Sequence, residues 1–532
     1  MSASWLVGTA LIALAAGYIW YGRFLVKKFG LDKNRSTPAR EKRDGIDYVP
    51  ARTPILFGHH FSSIAGAGPI LGPIYAAVFG WVPVFLWIVI GSIFVGGVHD
   101  FSALVASVRH GGKSIGEVIE DHIGRAGKKL FLIFIWSVLI LVIAVFAKAV
   151  ASVFVKEPAT VTSSFLFILV AIGFGLSIYR LKTNVLLSSI IGIALLLGCV
   201  ILGVLFPLKQ SFGFWIAVLF VYVFTAAVTP VWILLQPRDY LNSFLLYLIL
   251  ISGVVGIFVA NPTITFPAVT QFQTNLGLLF PILFVTVACG AISGFHALVS
   301  SGTTSKQLNL EHDARPIAYG GMLVEGVLAV VAMITAITLL QSDYIHLVTK
   351  EGGGPIGIFS AGIGHFIHYL GIPEKAGATF AALAISAFAL TTLDTATRIG
   401  RFAFQEFFER EGRTSILSRN RYVGTLVTVV CSALLAFSGQ SDTLWPLFGS
   451  ANQLLASIVL LAVTVWLSEL GKSNRFVKYP MIFMFCVTLT ALVNLIYKTV
   501  VNGNIPLMLF SILLFVVAIF LVNEARTRLR KT

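Results

Sequence analysis

The sequence predicts an all-α polytopic membrane protein. Of its 532 residues, 57% are hydrophobic and only 11% are charged, whereas a soluble domain averages about 25% charged residues. Apolar runs recur along the whole chain, each near the roughly 20 residues that a helix needs to cross a bilayer. Most Lys and Arg residues lie in the short loops between these runs, as the positive-inside rule requires. The net charge of +15 therefore reflects membrane topology and argues against nucleic-acid binding.

The apolar runs predict about fifteen transmembrane helices. Basic loops alternate with nearly uncharged ones, so an N-terminus on the outside places seven basic loops and the C-terminal tail in the cytoplasm. Basic residues follow the first run instead of preceding it, and we expect a retained helix, not a signal peptide. The predicted spans are 3–26, 58–80, 82–107, 130–154, 160–179, 184–206, 212–236, 241–260, 277–302, 317–340, 376–397, 421–438, 444–468, 478–500 and 504–523.

The glycine-rich stretch 352–371 is predicted to be a re-entrant or extracellular segment. It is moderately apolar and carries His365 and His368. A full span there would invert every later loop and place the basic stretch 398–420 outside, against the positive-inside rule.

Four ionisable residues interrupt the apolar stretch 58–101: His59, His60, His99 and Asp100. Ionisable side chains are costly at membrane depth and mark substrate or ion routes. Histidine changes charge near neutral pH, so the three histidines are candidates for proton coupling, as is Asp100 beside His99. His59 and His60 are also candidates for substrate binding. Packed, hydrogen-bonded histidines and a transition-metal site are the alternatives. We expect no bound metal.

The same stretch contains a broken helix. Gly66, Gly68 and Pro69 leave backbone groups without helical partners, which a membrane tolerates only where the backbone is buried in protein or lines a cavity. Secondary transporters build midplane sites from such breaks. The half-helix N-terminus around these three residues is a candidate site for a substrate carboxylate.

A second interruption is predicted where TAAVTPVWILLQPRDY carries Pro230 and Pro237. A simple kink and a second site helix are both open, and in the second case Pro230 and Trp232 contact substrate. Arg238 and Asp239 are expected to form a loop contact or a gate.

The stretch 289–308 is rich in hydroxyl groups. We predict substrate binding by His296 and a Na⁺ site near Ser300, Ser301 and Thr304, because hydroxyl and carbonyl oxygens suit a hard cation. The alternative is that these hydroxyls bond to the preceding helical turn.

Two acidic residues lie in later spans. Asp394 and Arg398 are four residues apart on one helical face, so an ion pair competes with a role for Asp394 in coupling. Glu325 is surrounded by apolar residues in MLVEGVLAVV.

Several functional classes lack their motifs. The four cysteines are scattered without a CxxC pair, and HExxH, GxSxG and GxxxxGK[ST] are absent. The sequence therefore contains no motif that predicts a disulfide framework, a zinc site, hydrolase chemistry or ATP hydrolysis. We expect no enzyme activity and no cofactor apart from coupling Na⁺ or H⁺.

Five sequence blocks resemble the carbon starvation protein A (CstA) family. They are GAGPILGPIYAAVFGW with GGVHDF, PVWILLQPRDYL, FPILFVTVACGAISGFHALVSSGTTSKQL, FALTTLDTATRIGR and LWPLFGSANQLLA, in the family's order and within residues 48–470. The resemblance implies an inner-membrane transporter that takes up peptides during carbon starvation or, in some members, pyruvate by proton symport. The expected partners are a small-molecule or peptide substrate and membrane lipid. A channel or a nutrient sensor without coupled flux is the alternative.

The family is similar to transporters with a five-plus-five inverted-repeat (LeuT/APC-like) core. This resemblance implies that 58–80 is core helix 1, 212–236 core helix 6 and 277–302 core helix 8. It divides the chain into an extra N-terminal helix and basic loop (1–54), the core (55–400), and C-terminal helices with a basic tail (401–532).

Overall fold

The computed structural model describes residues 1–122, 124–349, 353–409, 415–437 and 441–529, which are mostly helical. A two-stranded antiparallel hairpin pairs Gln273–Thr274 with Gly277–Leu278. The α-helices are Ala3–Ala16, Gly22–Phe29, Pro38–Glu41, Thr53–Ile64, Gly68–Ala76, Trp81–Gly91, Gly97–Arg109, Ile115–His122, Arg125–Lys156, Ala159–Tyr179, Val185–Leu205, Phe212–Val228, Leu235–Ala260, Leu279–Thr286, Gly294–Gly302, Gly321–Ile337, Gln341–Leu347, Gly354–His368, Glu374–Phe408, Ile416–Arg419, Arg421–Phe437, Ser441–Glu469, Arg475–Val501 and Ile505–Leu529.

The predicted number of about fifteen membrane spans is not supported. Among the described residues, eleven helices are long and apolar enough to cross a membrane, or twelve if one bent pair counts as a single span. The eleven are Ala3–Phe29, Trp81–Arg109, Arg125–Lys156, Ala159–Tyr179, Val185–Leu205, Leu235–Ala260, Glu311–Ile337, Glu374–Phe408, Leu447–Glu469, Arg475–Val501 and Leu507–Thr527.

The difference comes from four predicted spans that are helical but interrupted or short. Two of them, 58–80 and 277–302, contain a break, and the first is bent by 43° there. The other two contain helices of only 17 residues, Phe212–Val228 and Arg421–Phe437. A hydropathy window averages over the length of a span, so it detects neither a break nor a shortened helix.

Two broken helices organise the core. The first consists of Thr53–Ile64 and Gly68–Phe79, and the second of Leu279–Thr286 and Gly294–Gly302. Each is followed by a long helix that contains a π-helical turn. These turns are Ser92–Gly96 and Arg315–Gly320.

The packing after each broken helix follows one pattern, which gives two series of five helices. The third helices, Arg125–Lys156 and Glu374–Phe408, pack together, and the short fourth helices, Phe212–Val228 and Arg421–Phe437, pack on them and on each other. The fifth helices repeat the pattern, because Leu235–Ala260 packs on Thr53–Ile64 as Leu447–Glu469 packs on Gly294–Gly302. Among the described residues, six helices of 17 residues or more separate the two broken helices when Trp81–Arg109 is counted as one helix through its π-helical turn, so the second series runs opposite to the first.

This packing corrects two expected positions in the core. The helix at 279–302, not 212–236, is the counterpart of the first broken helix, and Glu374–Phe408, not 277–302, occupies the place of core helix 8. The core helices were misnumbered because the sequence alone does not show that Ala159–Tyr179 and Val185–Leu205 are an inserted hairpin. These two helices pack on each other. Only 22% of the most apolar part of the helix Val185–Leu205 is buried inside the protein, as expected for a peripheral helix. The predicted division at residues 54 and 400 stays a prediction.

Within the stretch 352–371, the described residues form the helix Gly354–His368. Its 15 residues extend about 22 Å, less than the hydrocarbon core of about 30 Å. It packs on Gly68–Ala76, Leu235–Ala260 and Glu374–Phe408. The re-entrant or extracellular placement of this segment stays a prediction.

Candidate functional site

The first break, residues 65–67, lies directly against the second broken helix. A Cβ atom on Gly68 would overlap Cys289 Sγ, and one on Gly66 would lie 2.5 Å from Thr392 Oγ1. Glycine is therefore required at both positions for close approach. The structure brings the predicted residues Gly66, Gly68 and Pro69 to the centre of the core.

The half-helix after the first break has unused amide groups. Among the described residues, the amides of Ala67 and Gly68 donate to no protein acceptor, and Pro69 has no N–H. The first amides of a helix have no intrahelical acceptor and bind anions readily, with help from the helix dipole.

The second break, residues 287–293, is held by the protein itself. Asn452 Oδ1 accepts a hydrogen bond from the amide of Phe295 at 2.9 Å, and Asn452 Nδ2 donates to Ser293 Oγ at 3.0 Å. Gln453 Nε2 donates to the carbonyl of Ile292 at 3.1 Å. Asn452 thus occupies the N-terminus of the second half-helix, which leaves the first as the open one. Sequence reasoning missed both residues, although adjacent amide side chains in the apolar block LWPLFGSANQLLA were a signal.

An acid–histidine cluster, comprising His99, Asp100, His296 and Glu325, joins the two series. Asp100 Oδ1 lies 2.7 Å from His99 Nδ1, and Asp100 Oδ2 lies 2.8 Å from His296 Nδ1. Glu325 Oε2 is 3.4 Å from His296 Nε2 but is not aligned as a hydrogen bond. All four side chains are fully buried. Asp100 therefore bridges two histidines, one of which also faces a second carboxyl group.

His59, His60 and His99 are not hydrogen-bonded to one another. His60 Nδ1 lies 2.9 Å from Thr304 Oγ1, and His59 Nδ1 lies 2.8 Å from Asp239 Oδ2. Each of the three histidines has a different partner. In the part of the chain that the structure describes, no group of three His, Cys, Asp or Glu side chains is arranged to hold a metal ion.

A second buried group, the arginine network, comprises His59, Tyr222, Arg238, Asp239 and Asp394. Arg238 Nη2 donates to Asp239 Oδ1 at 2.8 Å, while Arg238 Nη1 pairs with Asp394 Oδ2 and Tyr222. Tyr222 donates to Asp394 at 2.7 Å. Arg238 and Asp239 are thus buried within the helix Leu235–Ala260 and do not form the expected loop contact.

The expected ion pair between Asp394 and Arg398 is also absent. Arg398 Nη1 pairs with Asp47 Oδ1 at 3.0 Å, and Arg398 Nη2 donates to the carbonyls of Ala226 and Thr229. Long-range partners displaced the local pair because Arg398 lies next to the open end of the helix Phe212–Val228.

Asp47, in the loop before the first broken helix, is held as a carboxylate. Burial acts to raise the pKa of Asp47, but the charges of Arg398, Arg401 and Lys306 and a hydrogen bond from Arg398 lower it overall. This loop is thereby fastened to the ends of helices Phe212–Val228 and Glu374–Phe408.

Pro230 and Trp232 lie in the turn between Phe212–Val228 and Leu235–Ala260. The Trp232 ring packs against Tyr179 and lies 5.6 Å from the Arg180 guanidinium. Pro230 ends a helix instead of breaking a site helix.

The predicted sodium ligands are mostly used within the protein. Ser301 Oγ donates to the carbonyl of Ala297 at 2.8 Å, and Thr304 pairs with His60. Ser300 Oγ is buried without a hydrogen-bond partner among the described residues. The Na⁺ site near these three residues stays a prediction.

Two inverted five-helix series around paired broken helices define the class of LeuT-type secondary transporters. The structure of a manganese transporter from Eremococcus coleocola, in complex with an aromatic bis-isothiourea substituted compound, superposes with a TM-score of 0.53 at 13% identity and covers 91% of this chain and 99% of that one. Residues 2–352 and 347–491 match the family described as carbon starvation protein CstA. The chain belongs to this family of multi-pass membrane transporters.

Two curated relatives are similar over most of the chain. The peptide transporter CstA of Bacillus subtilis (strain 168) is 34% identical over 90% of this chain and 87% of its own length. The pyruvate/proton symporter BtsT of Escherichia coli (strain K12) is 31% identical, over 89% of this chain and 78% of its own length.

Proposed function

We propose that this protein imports a small carboxylate, pyruvate or a short peptide, together with protons, by alternating access. The observation that carries the proposal is the buried chain from His99 through Asp100 and His296 to Glu325. It connects the helix after the first break to the second broken helix.

The substrate carboxylate binds at the first break. Ala67 and Gly68 supply free amides, and the dipole of the half-helix Gly68–Phe79 favours negative charge. Pyruvate and the C-terminus of a peptide both present a carboxylate, so this site accepts either.

The coupling proton resides in the acid–histidine cluster. A carboxylate buried without a donor is costly, and a proton shared between Glu325 and His296 Nε2 removes that cost. Asp100, in turn, accepts hydrogen bonds from the Nδ1–H groups of His99 and His296. Loss of the proton weakens the contact between Glu325 and the second broken helix, which favours movement of that helix.

Substrate and proton act on one another through the contact between the breaks. Gly68 touches Cys289, and His296 follows the second break on the half-helix Gly294–Gly302. A carboxylate at the first break and a proton at His296 therefore bias the same pair of broken helices. Protons are favoured over Na⁺ because Ser301 and Thr304 already have partners within the protein.

We further propose that the protein lies in the cell inner membrane with the N-terminus outside and the C-terminus in the cytoplasm. The basic loops support this orientation. A reporter enzyme that is active only outside should be inactive when fused after the C-terminal tail, and activity there would reverse the orientation.

Uptake by proteoliposomes tests the function directly. Labelled pyruvate and a labelled dipeptide are supplied under a proton gradient and, separately, under a sodium gradient. We expect one or both substrates to accumulate under the proton gradient and not under the sodium gradient. Accumulation driven by sodium alone would reject proton coupling, and equilibration without accumulation would indicate a channel.

A further inference from the structure

A large cavity lies beside the second broken helix, outside the two breaks. Its volume is about 780 Å³, within the usual range of about 300–1,000 Å³ for small-molecule sites. It is bounded by the hairpin 273–278, the half-helix Leu279–Thr286, and the helices Leu447–Glu469 and Arg475–Val501. The helix Arg475–Val501, which lies outside the two five-helix series, thus forms one wall.

The floor of the cavity reaches the first broken helix. Thr286 lines the cavity, and its carbonyl oxygen lies 2.5 Å from the position that a Cβ atom on Gly72 would occupy. Gly72 is one turn beyond Gly68 in the same half-helix. The cavity wall therefore contacts the first half-helix one turn beyond the first break.

The cavity opens toward the side that is predicted to face outside. The hairpin 273–278 and the turn around Asn502 and Asn504 both contribute to its lining. Both belong to connecting segments that carry almost no Lys or Arg, as expected of the outer side.

The lining chemistry suits an organic anion. Among the lining residues that the structure describes, Lys498 is the one charged side chain, and its Nζ donates to the carbonyl of Leu276 at 3.1 Å. This bond ties Lys498 to the hairpin at the edge of the cavity. Amide side chains supply hydrogen-bond donors and acceptors around it, namely Gln273, Asn494, Asn502 and Asn504.

We infer that this cavity is an outer binding site, where Lys498 captures the carboxylate of the substrate before it reaches the first break. The inference rests on the proposed function, since it names an earlier position for the same carboxylate. It also assigns a role to the helix Arg475–Val501. A partly hydrated Lys attracts a carboxylate weakly, so the site raises the local substrate concentration without holding it tightly.

The first test compares the kinetics of uptake in proteoliposomes. Lys498→Gln should raise the KM for pyruvate or the dipeptide about two- to fivefold with kcat unchanged, and high salt should reduce the difference. Lys498→Arg should retain the wild-type KM. Lys478→Gln, at the other end of the same helix, is the matched control and should have no effect. An unchanged KM in Lys498→Gln, with active wild-type protein, would overturn this inference and leave the proposed function intact.

The second test does not depend on transport. Asn494→Cys, in a Cys431→Ser and Cys486→Ser background, places a thiol in the cavity for labelling by a water-soluble reagent. Pyruvate or the dipeptide should slow labelling, and Lys498→Gln should weaken that protection. If neither compound slows labelling, the outer site is rejected whatever the result for uptake. If protection occurs but the wild-type protein accumulates neither compound, the proposed function fails while the site stands.

Discussion

Asp100 Oδ2 lies 2.8 Å from His296 Nδ1, which joins a helix of the first series to the second broken helix through fully buried side chains. The two residues are 196 positions apart, and the bond exists only because the two series pack against each other. Any change in the charge of this pair must be felt by both series at once. We therefore expect the pair to control coupling more than substrate binding.

Asp100→Asn tests this expectation. The variant removes the negative partner of two buried histidines, and a hydrogen bond to a charged group contributes about 1.5–3 kcal/mol. Accumulation driven by a proton gradient should fall about ten- to hundredfold, while exchange of labelled for unlabelled substrate persists. Asp343→Asn, at an exposed position, is the control. Wild-type accumulation in Asp100→Asn would remove the cluster from the mechanism.

Arg238 should be required for stability. It lies between Asp239 and Asp394 with 1% of its surface exposed, so Arg238→Met leaves two buried carboxylates without their cation. Breaking a buried pair by removing one partner costs about 3–5 kcal/mol, and we expect a clear drop in the thermal unfolding midpoint in detergent.

A double-variant comparison separates this pairing from a simple loss of packing. Asp394→Asn in the Arg238→Met background should be less harmful than it is alone, because the unpaired charge has been removed. Strictly additive effects of the two substitutions would show that the ion pair contributes nothing to stability.

Local signals in the sequence predicted the first break, and long-range contacts account for what was missed. Glycine and proline at 66–69 disturb a helix wherever it lies, so the break and its place in the core could be predicted. The second break, VACGAIS, contains no proline and is stabilised by Asn452 from a distant helix. Its apolar pattern therefore predicted one continuous span over 277–302. Pro230 offered a stronger local signal, yet it only ends a helix.

The same distinction explains the charged residues. A spacing of four predicted that Asp394 pairs with Arg398, but its partner Arg238 is 156 positions away. His99 and Asp100 were recognised as candidates, and His296 as another, without any indication that Asp100 joins them. A single sequence shows which ionisable groups are costly in a membrane, but only the fold shows how they are paired.

Acid should release the loop that Asp47 fastens. Because Arg398, Arg401 and Lys306 lower the pKa of Asp47, its stabilising contribution is complete above the ordinary carboxyl pKa of about 3.9. The contribution is lost as the pH falls through the lowered pKa. Asp47→Asn should therefore lower the unfolding midpoint at pH 7, and its difference from wild type should shrink as the pH falls through the lowered pKa of Asp47. A difference that stays constant with falling pH would mean that the charge of Asp47 is not what stabilises the loop, and Asp343→Asn should have little effect at any pH.

Asn452 should be a cap whose loss weakens the second break. Its Oδ1 accepts from the amide of Phe295 and its Nδ2 donates to Ser293 Oγ, so Asn452→Ala exposes a buried helix N-terminus without an acceptor. Losing such a cap costs about 0.5–2 kcal/mol, and the unfolding midpoint should fall accordingly. Asn452→Asp keeps the acceptor for Phe295 and should retain more of the stability. If Asn452→Asp and Asn452→Ala are equally destabilised, the side-chain acceptor at position 452 is not the interaction that holds the second break.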